Sequence, residues 1–205
     1  MKEQPIPILL SRCVDFHGHL CPGLVIGYKA STYSLQLLGI TPPHEDLFAI
    51  VSNNSCAFDA VQVITGCTFG KGNIKFWDHG KHVYFFGRRD NNQVVRLYAK
   101  GQGDIWQQYP GHPALSKKVL AGDANEREQK RFKENHRRIA LSLLEIPNKV
   151  FFEVKEAEIE PPPKAMVFNN LRCDLCGEEC METRARICNG KTLCLPCFSR
   201  YCTDA

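Results

Sequence analysis

Eleven cysteines in a chain of 205 residues constrain this protein more than any other feature of its sequence. The opening stretch MKEQPIPILLSR has too short an apolar run for a signal peptide, and Pro7 interrupts it. Cysteines in a chain without a secretion signal are more often metal ligands or functional thiols than disulfide partners. We therefore expect a cytoplasmic protein that binds metal.

The length and the charge of the chain narrow its possible domain architecture and its possible partners. A chain of 205 residues can bury one hydrophobic core and still carry a small second module. Its formal net charge of +4 is mild, which gives no reason to expect a nucleic acid or an acidic polymer as partner. No apolar run reaches the ~18 residues of a membrane-spanning helix, so a membrane is not an expected partner either.

Four of the cysteines form two regular pairs near the C-terminus. Cys173 and Cys176 make one Cys-x-x-Cys motif, and Cys194 and Cys197 make a second. Each motif presents two thiolates on a tight turn, and four thiolates satisfy a tetrahedral zinc ion. The Asn-Gly pair at 189–190 favours a type I′ hairpin turn between the motifs, and the residues after the turn's second strand favour a short helix. The sequence predicts a treble-clef-like or ribbon-like structural zinc site, because so short a module has too little core to fold without a cross-link.

Three further cysteines in this module leave the ligand assignment open. Cys180, Cys188 and Cys202 could each replace a member of the four or remain free. A closed four-cysteine site has no open coordination position, so we expect the module to stabilise the chain or bind a partner rather than catalyse a reaction. Glutamates lie among its arginines and lysines, and nucleic acid is therefore not the expected partner.

The residues before this module predict an α+β core with a mixed sheet flanked by helices. Apolar residues recur at helical spacing from Pro22 to a glycine stop at Gly39. A nearly all-apolar run at 47–52 is typical of an interior strand. A second, buried helix is expected after Ser55, which can cap it, with Gly66 as its end.

The second half of the core predicts a hairpin, a long surface helix and a last strand. Two β-rich segments flank the turn residues 90–92. The stretch 123–145 keeps an apolar stripe at helical spacing, and its mixed charges favour a solvated face. Residues 149–159 alternate like a strand, and a run of prolines then breaks regular structure. We place the core domain at 1–160, a proline-rich linker at 161–165 and the zinc module at 166–205.

The stretch FHGHLCPG places His17, His19 and Cys21 directly before a proline that suits the first position of a helix. Cys21 then lies at the N-cap, where backbone N–H groups and the helix dipole stabilise a thiolate. Cys56 occupies the first turn of the second helix in the same way. If the two helix starts face each other, both cysteines and His17 or His19 form a site for zinc or a similar metal, with one position left for water or substrate.

Asp59 lies three residues after Cys56, on the same face of a mostly apolar helix. Its carboxylate can orient a metal-binding histidine or act as a general base on metal-bound water, and the alternative is a cap on neighbouring backbone. Cys21, Cys56 and Asp59 are the candidate catalytic residues. The alternative for the whole group is that its cysteines and histidines are ordinary core or loop residues.

The glycine-rich loop GCTFGKGN, residues 66–73, is too short for a P-loop and has glycine where the Ser or Thr should stand. Its backbone N–H groups, together with Lys71 and Asn73, are candidates to bind an anionic substrate near Cys56 and Cys67. A plain turn is the alternative.

Three segments together, FHGHLCPGLVIGYKAS, NNSCAFDAVQVITGCTFGKGNI and DHGKHVYFF, resemble the FmdE family, which is named for a subunit of formylmethanofuran dehydrogenase, over most of residues 12–155. The resemblance implies a thioredoxin-like α+β core whose active site binds zinc at the matching His and Cys positions. Some members also carry a C-terminal treble-clef zinc finger, which the four-cysteine module resembles. The resemblance further implies a homodimer and an association with the molybdenum or tungsten enzyme that reduces carbon dioxide to formylmethanofuran in methanogenesis-type metabolism.

Three functions remain open. The first is a metal-binding accessory protein of one-carbon metabolism with an open zinc site in the core. The second is a metal-free thiol-redox or carrier domain in which Cys21 and Cys56 exchange electrons. The third is an adaptor whose zinc module docks on a partner protein or nucleic acid. The first requires zinc in both clusters, whereas the second requires it only in the C-terminal module.

Overall fold

The computed structural model describes residues 5–100, 105 and 107–202. The chain divides into two compact units, residues 1–164 and residues 165–205. Every helix in the described ranges is too short or too polar to cross a membrane.

The N-terminal unit begins with two helices, α1 at Ile8–His17 and α2 at Pro22–Leu38. α2 confirms the prediction, with Cys21 at the N-cap and Gly39 ending the helix in the left-handed conformation at φ 64°. The sequence analysis makes no prediction for α1 and considers Pro7 only as an interruption of an apolar run. In the structure Pro7 lies at the N-cap of α1, where its missing N–H costs no helical hydrogen bond.

A five-stranded mixed sheet forms the centre of this unit, and the predicted α+β class is confirmed. Its strands lie in the order β2-β1-β3-β4-β5. They span Leu47–Val51 (β1), Ile74–Phe76 (β2), Val83–Arg88 (β3), Val94–Ala99 (β4) and Phe152–Glu156 (β5). β1 pairs with β2 in parallel and with β3 antiparallel, and the pairs β3–β4 and β4–β5 are antiparallel.

Further helices complete this unit. They lie at Ala57–Thr65 (α3), His112–Leu120 (α4), Glu126–Glu145 (α5) and Asn148–Phe151 (α6). The predicted long surface helix is α5. Asn125 and Glu128 form a capping box at its N-terminus. Ile139, Ala140 and Leu143 are its buried residues, and they form the stripe by which it packs on α2.

The two faces of the sheet are covered by different elements. On one face, α2 packs against β3 and β4 and against the flanking helices α3 and α5. On the other face, a smaller apolar cluster comprises Phe48, Ile50, Val83, Phe85 and Val94, with Trp77, Ala157 and Ile159 packed on it. Alternate residues of β1 therefore enter different clusters, which explains why every residue of this strand is buried. The Arg89 guanidinium donates to the Pro162 carbonyl at 2.9 Å and fixes the chain that leaves this face.

Close contact between α2 and α3 sets the geometry of the unit. A Cβ atom built on Gly27 would lie 2.6 Å from the Cα of Ala57, which is far inside van der Waals contact. One turn earlier, a Cβ on Gly23 would lie 3.2 Å from the Cβ of Cys56. Both glycines lie on one face of α2, four residues apart, and their missing side chains allow the start of α3 to approach the backbone of α2.

The C-terminal unit consists of two hairpins and a helix. Its elements are β6 (Asn170–Arg172), β7 (Glu179–Met181), a 3₁₀ turn (Glu182–Arg184), β8 (Ala185–Cys188), β9 (Lys191–Cys194) and α7 (Leu195–Cys202). β6 pairs with β7, and β8 pairs with β9, in both cases antiparallel. Asn189 and Gly190 have φ values of 49° and 75°, which confirms the predicted type I′ turn between β8 and β9.

Two details of the N-terminal unit differ from the prediction. Ser55 does not cap α3 with its side chain: Cys56 occupies the N-cap, and Ser55 Oγ donates to Asn53 Oδ1 at 2.8 Å. The Ser55 hydroxyl therefore bonds to the side-chain amide of a residue in the preceding turn instead of accepting from a backbone N–H of α3. The last strand is also shorter than predicted, because the helical turn α6 takes up residues 148–151 before β5 begins.

Replacing Gly27 by Ala should lower the free energy of unfolding by about 1–3 kcal/mol, because the added methyl group forces α2 and α3 apart. The higher intrinsic helix propensity of alanine, worth ~1 kcal/mol, does not offset this overlap with backbone atoms. Urea denaturation followed by circular dichroism measures the change. Gly70→Ala is the control, since a Cβ there meets no atom within 4 Å. Equal stability of Gly27→Ala and Gly70→Ala would contradict the close-packing account.

Candidate metal centre

Three helix ends meet at the predicted core site. His17 is the last residue of α1, and Gly18 turns the chain back at φ 95°. Cys21 is the N-cap of α2, and Cys56 is the N-cap of α3. The Leu24 N–H donates to Cys21 Sγ at 3.4 Å, as expected for an acceptor at a helix start. Residues from two distant parts of the sequence are thus brought together by the contact between α2 and α3.

The ligand atoms of His17, Cys21 and Cys56 all lie within 4.8 Å of one another. His17 Nε2 is 3.7 Å from Cys21 Sγ. Two ligands of one tetrahedral zinc ion lie roughly 3.5–3.8 Å apart, given bonds of ~2.3 Å to sulfur and ~2.0 Å to nitrogen. Cys21 is only 1% exposed, whereas His17 and Cys56 are partly exposed, so the group is accessible from one side.

Asp59 fixes the ring of His17. Its Oδ2 atom lies 2.7 Å from His17 Nδ1, and it sits in the first turn of α3, three residues after Cys56. A carboxylate that contacts Nδ1 holds the ring so that Nε2 faces the two sulfur atoms. Among the roles considered from the sequence, this contact supports the orientation of a metal-binding histidine.

Hydrogen bonding separates the pKa values of the two thiols. The hydrogen bond that Cys56 accepts from Cys21 is the main cause that lowers the pKa of Cys56 to about 6, and His17 contributes in the same direction. The same bond and burial raise the pKa of Cys21, and they outweigh the lowering by N–H groups at the start of α2, so the thiolate that the sequence predicts there is not favoured without a cation. Cys56 is therefore the first of the two to ionise, and a metal cation at this position would replace the proton that they share.

The donor set fits a zinc ion or a similar borderline-soft metal. One imidazole nitrogen and two thiolates are ligands that zinc prefers, and they fill three of its four tetrahedral positions. Sites with three protein ligands keep a position for water or substrate, whereas closed sites have four. The described residues offer three ligands here, so a tetrahedral ion bound to them would keep one open position.

The two candidate histidines occupy different positions. The rings of His17 and His19 are 4.7 Å apart between centroids and tilted by 33°. His19 is exposed, and it does not belong to the three-ligand group that the described residues form. The geometry therefore favours His17 as the ligand and places His19 at the rim of the site.

A cavity of about 530 Å³ opens beside the ligands. It is lined by His17, Cys56 and Asp59, and by Asn54, Ser55, Phe58, Phe69 and Phe76. The sequence analysis does not select the three phenylalanines. A signal for Phe69 exists, since it is the one large apolar residue in the glycine-rich loop 66–73.

The loop 66–73 uses its polar groups to hold its own structure. Lys71 Nζ donates to the carbonyl of the residue that follows α3, at 2.8 Å. Asn73 Oδ1 accepts from Thr68 N–H at 2.9 Å, and its Nδ2 donates to Leu47 O at 3.3 Å. Cys67 is fully buried, and burial raises its pKa to about 11. Lys71 and Asn73 are not among the residues that line the cavity, and these contacts favour the plain-turn alternative.

The C-terminal unit contains the predicted four-cysteine cluster. The sulfur atoms of Cys173, Cys176, Cys194 and Cys197 lie within 4.8 Å of one another, and those of Cys176 and Cys194 are 3.8 Å apart. Backbone N–H groups of Cys176 and Cys194 donate to Cys173 and lower its pKa to about 6. Four thiolates complete a tetrahedral coordination shell, so this cluster can bind a metal ion and leaves no open position.

The other cysteines of this unit do not join the cluster, and two of them are neither ligands nor free thiols, which corrects the expectation from the sequence. Cys188, at the end of β8, and Cys202, at the end of α7, form a disulfide bond. Cys180 is a half-buried free thiol that packs against the buried cysteines. No local pattern indicates this pairing, because Cys188 and Cys202 meet only when α7 folds against the hairpin.

Comparison with known proteins links these features to one family. The family model described as "FmdE, Molybdenum formylmethanofuran dehydrogenase operon" matches residues 16–153, a span that contains His17, Cys21, Cys56 and Asp59. A protein of Archaeoglobus fulgidus named "Probable S-adenosyl-L-methionine-binding protein" is 34% identical over 201 residues, which are 94% of this chain and 53% of that protein. The chain thus spans about half the length of this curated relative.

A solved structure shares the fold. The crystal structure of a tungsten formylmethanofuran dehydrogenase FmdE-like protein from Syntrophus aciditrophicus matches with a TM-score of 0.56 and 20% identity. The match covers 94% of this chain and 91% of the other. At this identity the likeness concerns the fold alone. Because the family model spans residues 16–153, more than half of the sequence, this chain belongs to the FmdE family.

Proposed function

We propose that this protein is a zinc-binding accessory protein of one-carbon metabolism, with an open zinc site at His17, Cys21 and Cys56. The observation that carries the proposal is the three-ligand group, whose atoms lie within 4.8 Å of one another beside a cavity of about 530 Å³. Three protein ligands leave one tetrahedral position, and the cavity gives water or a substrate access to it.

The residues around the ligands have distinct roles in this proposal. Zinc at this position supplies a Lewis acid that can polarise a bound substrate or activate a water molecule. Asp59 acts as a positioning residue, because its bond of 2.7 Å to Nδ1 holds the His17 ring with Nε2 toward the sulfur atoms. Cys21 supplies a buried sulfur, and Cys56 supplies a sulfur at the wall of the cavity.

A second zinc ion, with a structural role, is proposed for the C-terminal cluster. The buried apolar residues of this unit are Cys173, Leu193, Cys194 and Cys197, so the cysteines themselves make up most of its described core. So small a core cannot offset the entropy of ordering the unit without a cross-link. A tetrahedral ion held by four thiolates would supply that cross-link.

The proposed partner is a formylmethanofuran dehydrogenase. The family description and the name of the structural relative both refer to this enzyme, in its molybdenum and tungsten forms respectively. We propose that the chain works beside the catalytic subunits of such an enzyme. The homodimer and the cytoplasmic location stay predictions of the sequence, and nucleic acid is not a proposed partner.

The thiol-redox alternative uses the same two sulfur atoms. Cys21 and Cys56 are both free thiols, close enough to exchange electrons. The position of His17, 3.7 Å from one sulfur, suits a metal site and would also stabilise a thiolate, so metal content is the measurement that separates the two functions.

A second candidate function is binding of S-adenosyl-L-methionine. The A. fulgidus relative carries this ligand in its name and is 34% identical over 94% of this chain. The cavity supports the candidate, because Phe58, Phe69 and Phe76 line it, and aromatic rings can contact both an adenine base and a sulfonium cation. Isothermal titration calorimetry with S-adenosyl-L-methionine tests it, and the absence of saturable heat would exclude it.

Metal content separates the proposal from its alternatives. Zinc-loaded protein should contain two zinc ions per chain, one for each cluster. Cys21→Ser/Cys56→Ser should keep only the C-terminal ion, and Cys173→Ser/Cys176→Ser should keep only the core ion. Mass spectrometry of metals in protein purified without oxygen measures the ratio. Cys13→Ser is a matched control, since Cys13 is buried outside both clusters, and it should keep both ions. One zinc ion in wild type, unaffected by the core double variant, would favour the thiol-redox domain.

Removing the Asp59 carboxylate should weaken zinc binding at the core site. Asp59→Ala frees the His17 ring from its 2.7 Å contact, and the loss of such an outer carboxylate costs about 10–100-fold in metal affinity. Asp59→Asn should lose less, because an amide oxygen can still accept from Nδ1–H. Competition with a chromophoric chelator measures both affinities. Asp123→Ala, at an exposed aspartate outside the site, should match wild type. Wild-type affinity in Asp59→Ala would show that this carboxylate does not position the ligand.

A further inference from the structure

The cavity beside the core site has the size of a small-molecule pocket. Its volume of about 530 Å³ falls within the roughly 300–1,000 Å³ of typical ligand sites. His17 and Cys56 line one part of it, and aromatic rings line another. A molecule that fills the cavity can therefore reach the metal position and the rings at the same time.

The aromatic rings of the cavity are unusually accessible for apolar side chains. Phe69 is 81% exposed and Phe76 is 41% exposed. Phe58 meets Phe76 edge to face, with ring centroids 6.3 Å apart, which leaves ring surface directed away from the core. Such grouped exposed apolar surface marks a place where a ligand or a partner binds.

The charges around the cavity select against an anion. None of the described residues that line it is Lys or Arg. The Asp59 carboxylate is the one acidic side chain among the described residues of the lining. Lys71 lies in the neighbouring loop, but its ammonium group donates to that loop's own carbonyl at 2.8 Å. A phosphate or carboxylate in the cavity would find no cationic side chain on its walls.

We propose that this cavity binds a neutral or cationic heteroaromatic compound, which packs its ring against Phe69 and Phe76 and places a nitrogen or sulfur donor at the metal. The proposal rests on the proposed function, because it uses the open position of a zinc ion held by His17, Cys21 and Cys56. Nitrogen and sulfur donors are chosen because they suit borderline-soft metals. The ring is chosen because stacked or edge-to-face contact with phenylalanine adds to the area that it buries.

Three related probes separate the parts of this proposal. Imidazole offers a metal donor on a small ring, benzimidazole adds a fused benzene ring, and benzimidazole-5-carboxylate adds a negative charge to that benzene ring. Cobalt(II) replaces zinc in the full-length protein, and the visible difference spectrum on addition of each probe gives its dissociation constant. The closed four-cysteine site has no position for a probe, so the difference spectrum reports on the core site.

The dissociation constant of imidazole divided by that of benzimidazole measures the contribution of the fused benzene ring to binding. This ratio should fall about tenfold from wild type to Phe69→Ala/Phe76→Ala, because the variant removes the contacts of the larger benzimidazole ring and affects imidazole less. Comparing ratios cancels the intrinsic difference in donor strength between the two probes. Leu120→Ala is the matched control, because Leu120 is 83% exposed and lies outside the cavity, and it should keep the wild-type ratio. The carboxylate probe should bind about tenfold more weakly than benzimidazole.

An unchanged ratio in the double variant, or tighter binding of the carboxylate probe, would overturn the proposal. The same conclusion holds if the ratio is unchanged and sedimentation shows that wild type is a dimer which Phe69→Ala/Phe76→Ala separates, since the rings would then contact a second copy. A failure of the proposed function looks different: wild type would bind no more cobalt than Cys21→Ser/Cys56→Ser, and no probe would alter the spectrum.

Discussion

The close approach of α2 and α3 is the constraint on which the core site depends. Gly27 lies against Ala57 with no room for a side chain between them, and Gly23 makes a tight contact beside Cys56, where an added Cβ would lie 3.2 Å from the Cys56 Cβ. With larger residues at these positions the two helix starts could not lie side by side, and Cys21 and Cys56 would not share one site. The site is therefore a product of backbone packing as much as of its cysteines and histidine.

Because Cys21 is buried, its thiolate form requires a cation beside it. This sulfur is 1% exposed, and an unpaired thiolate in such a position would be costly. The hydrogen bond between the two thiols is the main cause that moves their pKa values in opposite directions, upward for Cys21 and downward for Cys56. A divalent ion would stabilise both thiolates at once, and the imidazole of His17, held by Asp59, would complete a three-ligand set.

Local signals in the sequence predict the parts of each site, and the fold decides how they meet. Cys21 before Pro22 indicates an N-cap, and Asn189-Gly190 indicates a type I′ turn, because both depend on adjacent residues only. The contact of Gly27 with Ala57 and the disulfide of Cys188 with Cys202 depend on tertiary packing. Two prolines show the limit of prediction from local sequence. Pro22 is predicted to start a helix and Pro7 is not, although each stands at the beginning of a helix in the structure.

The phenylalanine lining of the cavity could not be predicted from the sequence. Phe58, Phe69 and Phe76 come from a helix, a loop and an edge strand, and no spacing rule connects them. An exposed aromatic residue in a loop is common and needs no explanation by itself. Only the arrangement around His17 and Cys56 makes these rings a candidate binding surface.

X-ray absorption at the zinc edge tests the central claim most directly. In Cys173→Ser/Cys176→Ser protein loaded with zinc, the remaining ion should show two sulfur neighbours at ~2.3 Å and two nitrogen or oxygen neighbours at ~2.0–2.1 Å. That shell corresponds to Cys21, Cys56, His17 and one exchangeable ligand. A shell of four sulfurs, or one without sulfur, would contradict the account of an open site at the meeting point of the three helix ends.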